Sequence, residues 1–220
     1  MGERAKRTLC GKDCRDHTPF WWSDAQEPKG PPNLLPSVSA DLDVDFLIVG
    51  GGFTGLSCAR HLSEAFSSSS IAVCETHFCG SGASGRNAGY LTSLVGHDSV
   101  CVTNMLGKVC AQNTATFIRE GMKNIVDTMS KYNIDCDFSG GPMGYLAMTP
   151  RHACEGQKQE RASAELGYDT QWCSAAETVK QLPGMRHMRL RGMFIERIGG
   201  TMNPYKYVRG LLKKVRAHYL

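Results

Sequence analysis

Val49-Gly50-Gly51-Gly52-Phe53-Thr54-Gly55 is the stretch that decides the fold. It follows the apolar run Phe46-Leu47-Ile48-Val49 and opens a segment whose Leu56, Ala59, Leu62 and Phe66 share one helical face. Ser67-Ser68-Ser69-Ser70 breaks that helix, and Ile71-Ala72-Val73-Cys74 reads as a second buried strand. Glu75 closes this strand, twenty residues past Gly55. Strand, glycine turn, helix, strand and terminal acid together form a dinucleotide-binding βαβ fingerprint.

Each position has a physical reason. Gly50 allows the tight turn out of the strand. Gly52, without a Cβ, lets a pyrophosphate approach the backbone, and Gly55 lets helix and strand pack closely. The pyrophosphate would rest on the helix N-terminus, where unpaired N–H groups and the macrodipole favour negative charge. Gly51, Phe53 and Thr54 complete the stretch assigned to the cofactor. Glu75 would accept the ribose hydroxyls, which disfavours a 2′-phosphate and makes NADP the poorest ligand. The fingerprint alone does not separate FAD from NAD. A glycine turn by itself could be purely structural; the flanking strands and the spaced acid carry the reading.

Composition narrows the classes. Apolar residues make up 41% of the 220, enough for a sizeable core, and 21% charged is ordinary for a soluble chain. The net charge of +4 is small, and no basic patch interleaved with aromatics suggests nucleic acid. No apolar run approaches the ~18 residues of a bilayer span. The basic start (Arg4, Lys6, Arg7, Lys12, Arg15) lacks an apolar signal region and carries Glu3, Asp13 and Asp16. A cytoplasmic chain is therefore expected, with organelle import left open. The ten cysteines are scattered without CxxC pairs, as free thiols in a reducing compartment would be. Cys10, Cys14 and His17 lack a fourth ligand at zinc-like spacing, so no metal is expected. Cys58 and Cys74 read as small core residues.

Further along, residues 1–43 form a polar leader punctuated by Pro19, Pro28, Pro31, Pro32 and Pro36, expected to hold little regular structure. Its Phe20-Trp21-Trp22 island reads as packing against a domain surface rather than as a ligand contact. Gly80 to Gly89 is a loop of glycine and small polar residues. It could offer backbone N–H groups to an anion or flat ring, or serve as a surface linker, and composition leaves the two open. Ile118, Met122, Ile125 and Met129 predict a core-facing helix over about 111–130. Residues 134–148 read as strands joined through Gly140-Gly141-Pro142. Helices are expected over 151–166 and 174–182, and a strand over 191–196. Asn203-Pro204 reads as an N-cap and N1 pair opening a helix with Val208, Leu211, Leu212 and Val215 inward. No strand is expected after it.

With both glycine motifs in view, the sequence resembles the FAD-dependent oxidoreductases of the D-amino-acid oxidase superfamily, in particular its γ-glutamylputrescine oxidase-like branch. Three segments carry the resemblance: Asp45 to Ser57, Gly82-Ala83-Ser84-Gly85-Arg86-Asn87-Ala88-Gly89, and Met202 to Leu211. The aromatic leader is similar to one in that branch. The resemblance implies an α/β chain with a Rossmann-like FAD-binding βαβ core and part of an α+β substrate domain, apparently truncated. It implies a leader over 1–43, the FAD-binding part over 44–131, a partial substrate domain over 132–200 and a helix returning to the FAD domain over 201–220. Gly50, Gly52 and Gly55 would line the FAD pyrophosphate, Glu75 would hold the adenosine ribose, and Ala83, Ser84, Gly85, Arg86 and Asn87 would run beside pyrophosphate and flavin. The implied activity is oxidation of an amine or amino-acid C–N bond on a small-molecule substrate. The family continues well past residue 220, so the match is to its N-terminal part, and a site missing half its walls would hold FAD weakly.

No catalytic base stands out. His61, His77, His97, His152, His187 and His218 form no constellation and read as ordinary surface or packing histidines. Tyr145 and Arg197 could meet a substrate carboxylate. Arg86 could neutralise phosphate or face the flavin, or sit on the loop surface. The alternative to the oxidoreductase is a non-catalytic nucleotide-binding or partner-binding module derived from one. An NAD-dependent dehydrogenase fits the Gly82–Gly89 loop less well.

Overall fold

The structure, a computed structural model, describes residues 19–25, 41–93 and 98–219. In chain order the elements are α1 (Phe20–Asp24), β1 (Phe46–Val49), α2 (Phe53–Ala65), β2 (Ile71–Cys74) and β3 (Tyr90–Thr92). Next come α3 (Ser99–Leu106), α4 (Lys108–Tyr132), β4 (Ser139–Gly140), β5 (Met143–Ala147) and α5 (Pro150–Glu165). The remainder are β6 (Thr170–Ser174), α6 (Ala175–Gln181), β7 (Gly192–Glu196), β8 (Gly199–Thr201), α7 (Pro204–Lys214) and β9 (His218–Tyr219). They divide into two compact units that alternate along the chain. Of the described residues, the first holds those up to Ala88, Ile134–Cys136 and those from Asn203; the second holds those within Gly89–Asn133 and Asp137–Met202.

The first unit is the βαβ fingerprint completed by α7. β1 and β2 run parallel with Phe46 opposite Ile71 and Val49 opposite Cys74. A reciprocal pair fixes this register at its start: Asp45 N–H donates to Ser70 Oγ at 3.0 Å, and Ser70 N–H donates to Asp45 Oδ2 at 2.7 Å. Hydrogen bonding from Ser70 holds the Asp45 carboxyl below its ordinary range. Leu56 and Ala59 are fully buried on α2, and Ile71, Ala72 and Val73 on β2. Each such large aliphatic contributes about 1.5–3 kcal/mol relative to exposure. α7 begins as expected: the Asn203 side chain accepts from the N–H groups of Tyr205 and Lys206, and Pro204 follows. Lys213 and Lys214 complement the negative end of the dipole. Val208 and Leu211 are fully buried. Gly210 admits the 134–136 segment, because a Cβ there would lie 2.3 Å from Ile134.

Four expectations about this unit need correction. A strand does follow α7: β9 pairs in parallel with β2, giving the order β1-β2-β9. The leader is not wholly irregular, since Phe20–Asp24 forms a short helix. Cys58 is exposed, because it lies roughly 200° around the helix from the buried Leu56. β1 is buried on one face only, with Phe46 and Ile48 half-buried while Leu47 is 61% and Val49 84% exposed.

In the second unit, β7 lies between β5 and β6 in an antiparallel sheet, and all five of its residues are buried. β8 lies between β3 and β4 in a separate sheet. Gly140-Gly141-Pro142 therefore does not join paired strands: β4 pairs with β8 and β5 with β7. α5 is capped by Thr149, and α6 by a Ser174/Glu177 capping box. The 25-residue α4 buries Ala111, Ala115, Met122 and Met129 and ends at left-handed Asn133. Ile118 and Ile125 are half-buried on the same helix. No helix among the described residues is long and apolar enough to cross a membrane.

Candidate functional site

The glycine turn sits where β1 meets α2, and its geometry follows from the absence of side chains. Gly50 has φ +104°, a conformation that L side chains rarely adopt, and its N–H donates to Cys74 O at 2.7 Å. A Cβ on Gly55 would lie 1.9 Å from Gly50 O, so this glycine permits the helix to start against the turn. A Cβ on Gly51 would lie 2.3 Å from Cys79 Sγ, a close approach that the spacing argument did not anticipate. Gly52 is the N-cap of α2 and has no side chain to cap it, and the first helical turn carries no acidic residue. Thr54 is exposed on that turn. The positive end of a 13-residue helix is thus left for an external anion.

Glu75 lies at the end of β2 and reaches back to this turn. Its Oε2 accepts from Gly51 N–H at 2.8 Å and its Oε1 from His77 N–H at 3.2 Å. Each carboxylate oxygen retains a further lone pair for a hydroxyl donor. Cys79 is buried nearby, and burial, reinforced by the Glu75 charge, pushes its thiol upward. A thiol so placed is a packing residue rather than a nucleophile.

The second glycine loop comes to the same place. Ser84 Oγ accepts from Phe53 N–H at 2.9 Å and stands 2.9 Å from where a Gly52 Cβ would be. The loop therefore supplies part of the cap that Gly52 lacks. Ala83–Gly85 form one 3-10 turn, and a Cβ on buried Gly85 would collide with Gly80 O at 2.1 Å. Asn87 folds the loop on itself, donating from Nδ2 to Ala83 O (3.2 Å) and Ser84 O (3.0 Å). Arg86 donates from Nε to Ser81 O at 2.6 Å, and its guanidinium lies 4.6 Å over the Trp22 ring. Both motifs thus meet at the start of α2, with Arg86 already engaged by the protein. The turn, the only partly capped helix start and the carboxylate beyond β2 fit a dinucleotide such as FAD.

The family model of the FAD dependent oxidoreductases (DAO) matches residues 45–219. The chain belongs to that family. It is 26% identical over 201 residues to gamma-glutamylputrescine oxidoreductase of Escherichia coli (strain K12), covering 91% of this chain and 45% of that protein. A probable oxidoreductase OrdL of Rhizobium meliloti (strain 1021) is 26% identical over 199 residues, covering 89% of this chain and 44% of that protein. The chain thus spans less than half the length of these curated relatives. Among solved structures, glycine oxidase from Geobacillus kaustophilus superposes with a TM-score of 0.65 at 21% identity, covering 80% of this chain and 46% of that one. A dithionite-reduced L-alpha-glycerophosphate oxidase from Mycoplasma pneumoniae with FAD bound gives a TM-score of 0.61 at 17% identity, covering 80% and 44%. At these identities the superpositions establish the DAO fold, and the family model establishes membership.

The remaining sequence candidates lie elsewhere. In the second unit, Tyr145 stacks on Phe194 at 5.7 Å and, with Trp172, lines an open cavity of about 600 Å³ that also reaches His152. Arg197 instead points to the β6 side, donating to Gln171 Oε1 at 2.5 Å and pairing with Asp169 at 3.6 Å. Tyr145 and Arg197 are not brought together. Sequence reasoning missed Glu196, which is fully buried and accepts from Thr92 Oγ1 at 2.9 Å and from the N–H and O–H of Ser93. His61 contacts Arg60, and His187 accepts from Arg186. Cys10, Cys14, His17 and His97 lie outside the described residues.

Proposed function

We propose that this chain is the cofactor-holding part of a DAO-family FAD-dependent oxidoreductase that oxidises a C–N bond of an amine or amino acid. The observation that carries the reading is the pairing of Glu75 with Gly51 N–H beside a helix start that its own N-cap glycine leaves open, in a chain of this family. When bound, FAD supplies the two-electron acceptor for the C–N bond. The chain's own groups bind and orient. N–H groups at the start of α2 face the pyrophosphate, Glu75 accepts ribose hydroxyls, and Ala83–Asn87 forms the wall beside them. In this assignment the first unit is the FAD-binding part, and strands β5, β6 and β7 of the second belong to a substrate domain.

The proposed substrate class follows the amine- and amino-acid-acting relatives, and a neutral amine demands little acid–base help from the protein. The test is anaerobic addition of a panel of amines and amino acids to the FAD-loaded protein while the visible flavin band is followed. Bleaching by a C–N substrate supports the reading, and a loaded protein that bleaches with none contradicts it. A second reading rests on the exposure of Leu47 and Val49. An apolar strand face of this kind suits a nucleotide-binding module that works against a partner polypeptide. Binding of FAD or an adenine nucleotide without turnover, together with a shift in sedimentation on adding the partner, would favour it.

A further inference from the structure

The loop Ser81–Ala88 carries no large apolar side chain of its own, so no apolar burial within it reinforces its internal hydrogen bonds. Its internal hydrogen bonds are backed from outside by α1. The Trp21 indole N–H donates to Asn87 O at 2.6 Å. The Trp22 ring lies under the Arg86 guanidinium and packs against Phe78 (5.0 Å) and Tyr205 (5.8 Å). The Trp22 Nε1 is buried without an acceptor among the described residues, so this ring is held by packing and by the Arg86 guanidinium over its face. α1 is in turn tied to the start of α7: Asn203 Nδ2 donates to Asp24 Oδ2 at 2.8 Å and to Trp21 O at 3.3 Å.

We propose that α1 is a strap that fixes the Ala83–Asn87 wall of the FAD site before the cofactor arrives, with Trp21 as its positioning residue. Trp21 acts through Asn87 O and touches no reacting group. Asn87 also bonds Ala83 and Ser84, and Ser84 Oγ caps Phe53 N–H, so a tie at residue 87 propagates to the start of α2. Prior ordering lowers the entropy lost on binding, so the strap is a source of affinity without ligand contact. The role in binding rests on the FAD reading above; the role in ordering the loop does not.

The test is amide hydrogen exchange of the whole chain without FAD, paired with an FAD titration followed by flavin fluorescence. Trp21→Phe keeps a ring and removes the donor. Asp24→Ala loosens the strap at α7 and leaves every loop contact in place. Loss of one hydrogen bond of ordinary strength raises exchange over residues 83–89 about fivefold in Trp21→Phe. Asp24→Ala gives a smaller rise, and α2 keeps its protection in both. The FAD dissociation constant rises by a similar factor. Unchanged loop exchange in Asp24→Ala and in a folded Trp21→Phe overturns the strap, whatever the titration shows. Raised loop exchange in a protein that takes up no FAD upholds the strap and contradicts the FAD reading instead.

Discussion

Gly55→Ala probes the tightest backbone approach that an added Cβ would make at any described glycine. A Cβ at residue 55 would lie 1.9 Å from Gly50 O and 3.3 Å from Ile48 Cγ2. The oxygen is backbone, locked by the turn whose N–H is bonded to Cys74 O, so no flexible side chain can yield. Relief requires α2 to move away from β1 by more than about 1 Å, and overpacking of this kind costs roughly 1–3 kcal/mol. Alanine's better helix propensity returns about 1 kcal/mol, so the net loss is about 1 kcal/mol. Gly82→Ala is the control: it lies in the same glycine-rich region of sequence, but a Cβ there meets nothing within 4 Å. Its change should stay within about 0.5 kcal/mol. Urea unfolding of both variants at an unchanged m-value provides the comparison. Equal midpoints for Gly55→Ala and wild type would refute the steric account of the turn.

Other substitutions separate structure from binding. Glu75→Gln keeps an acceptor for Gly51 N–H but loses the charge, so stability should hold within about 1 kcal/mol while FAD affinity falls about tenfold; equal affinity by titration would remove Glu75 from the site. Glu196→Leu removes the acceptor of the buried Ser93 N–H and O–H and should cost about 2–4 kcal/mol in denaturant melts, more than Glu196→Gln. Wild-type stability in the leucine variant would show that the carboxylate is dispensable. Burial raises the Tyr207 hydroxyl from the usual 10 to about 12, and Tyr219 shifts the same way. The unfolded chain therefore ionises first, and stability is full below about pH 10 and is lost as pH rises toward 12. Tyr207→Phe should flatten that alkaline loss, and an identical pH profile would contradict the shift.

What the sequence made legible was local. The βαβ core was readable because the glycines, the apolar runs and Glu75 carry their meaning within thirty residues. The start of α7 was readable because Asn203 caps the very next N–H groups. Elements made by distant partners were not. β9 is two residues, His218 and Tyr219, and becomes a strand only beside Ala72 and Val73. β8 contains Gly199 and Gly200, poor strand formers by propensity. Gly200 is kept small by Phe138, which a Cβ would approach to 2.8 Å. α1 is too short to be stable alone and owes its helix to contacts with the loop and α7. In the candidate site, the turn glycines and the position of Glu75 at the end of β2 were legible, whereas the Ser84–Phe53 bond spans 31 residues and had no local signal. Glu196 was hidden because an acid within a buried strand contradicts the pattern used to find strands.

The most direct test of the central claim is the visible absorption spectrum of the purified 220-residue chain after incubation with FAD and removal of the excess. A retained flavin spectrum, weakened by Glu75→Gln, is the predicted result. A folded but colourless protein would contradict the assignment of the Gly50–Gly55 turn and Glu75 as a working FAD site.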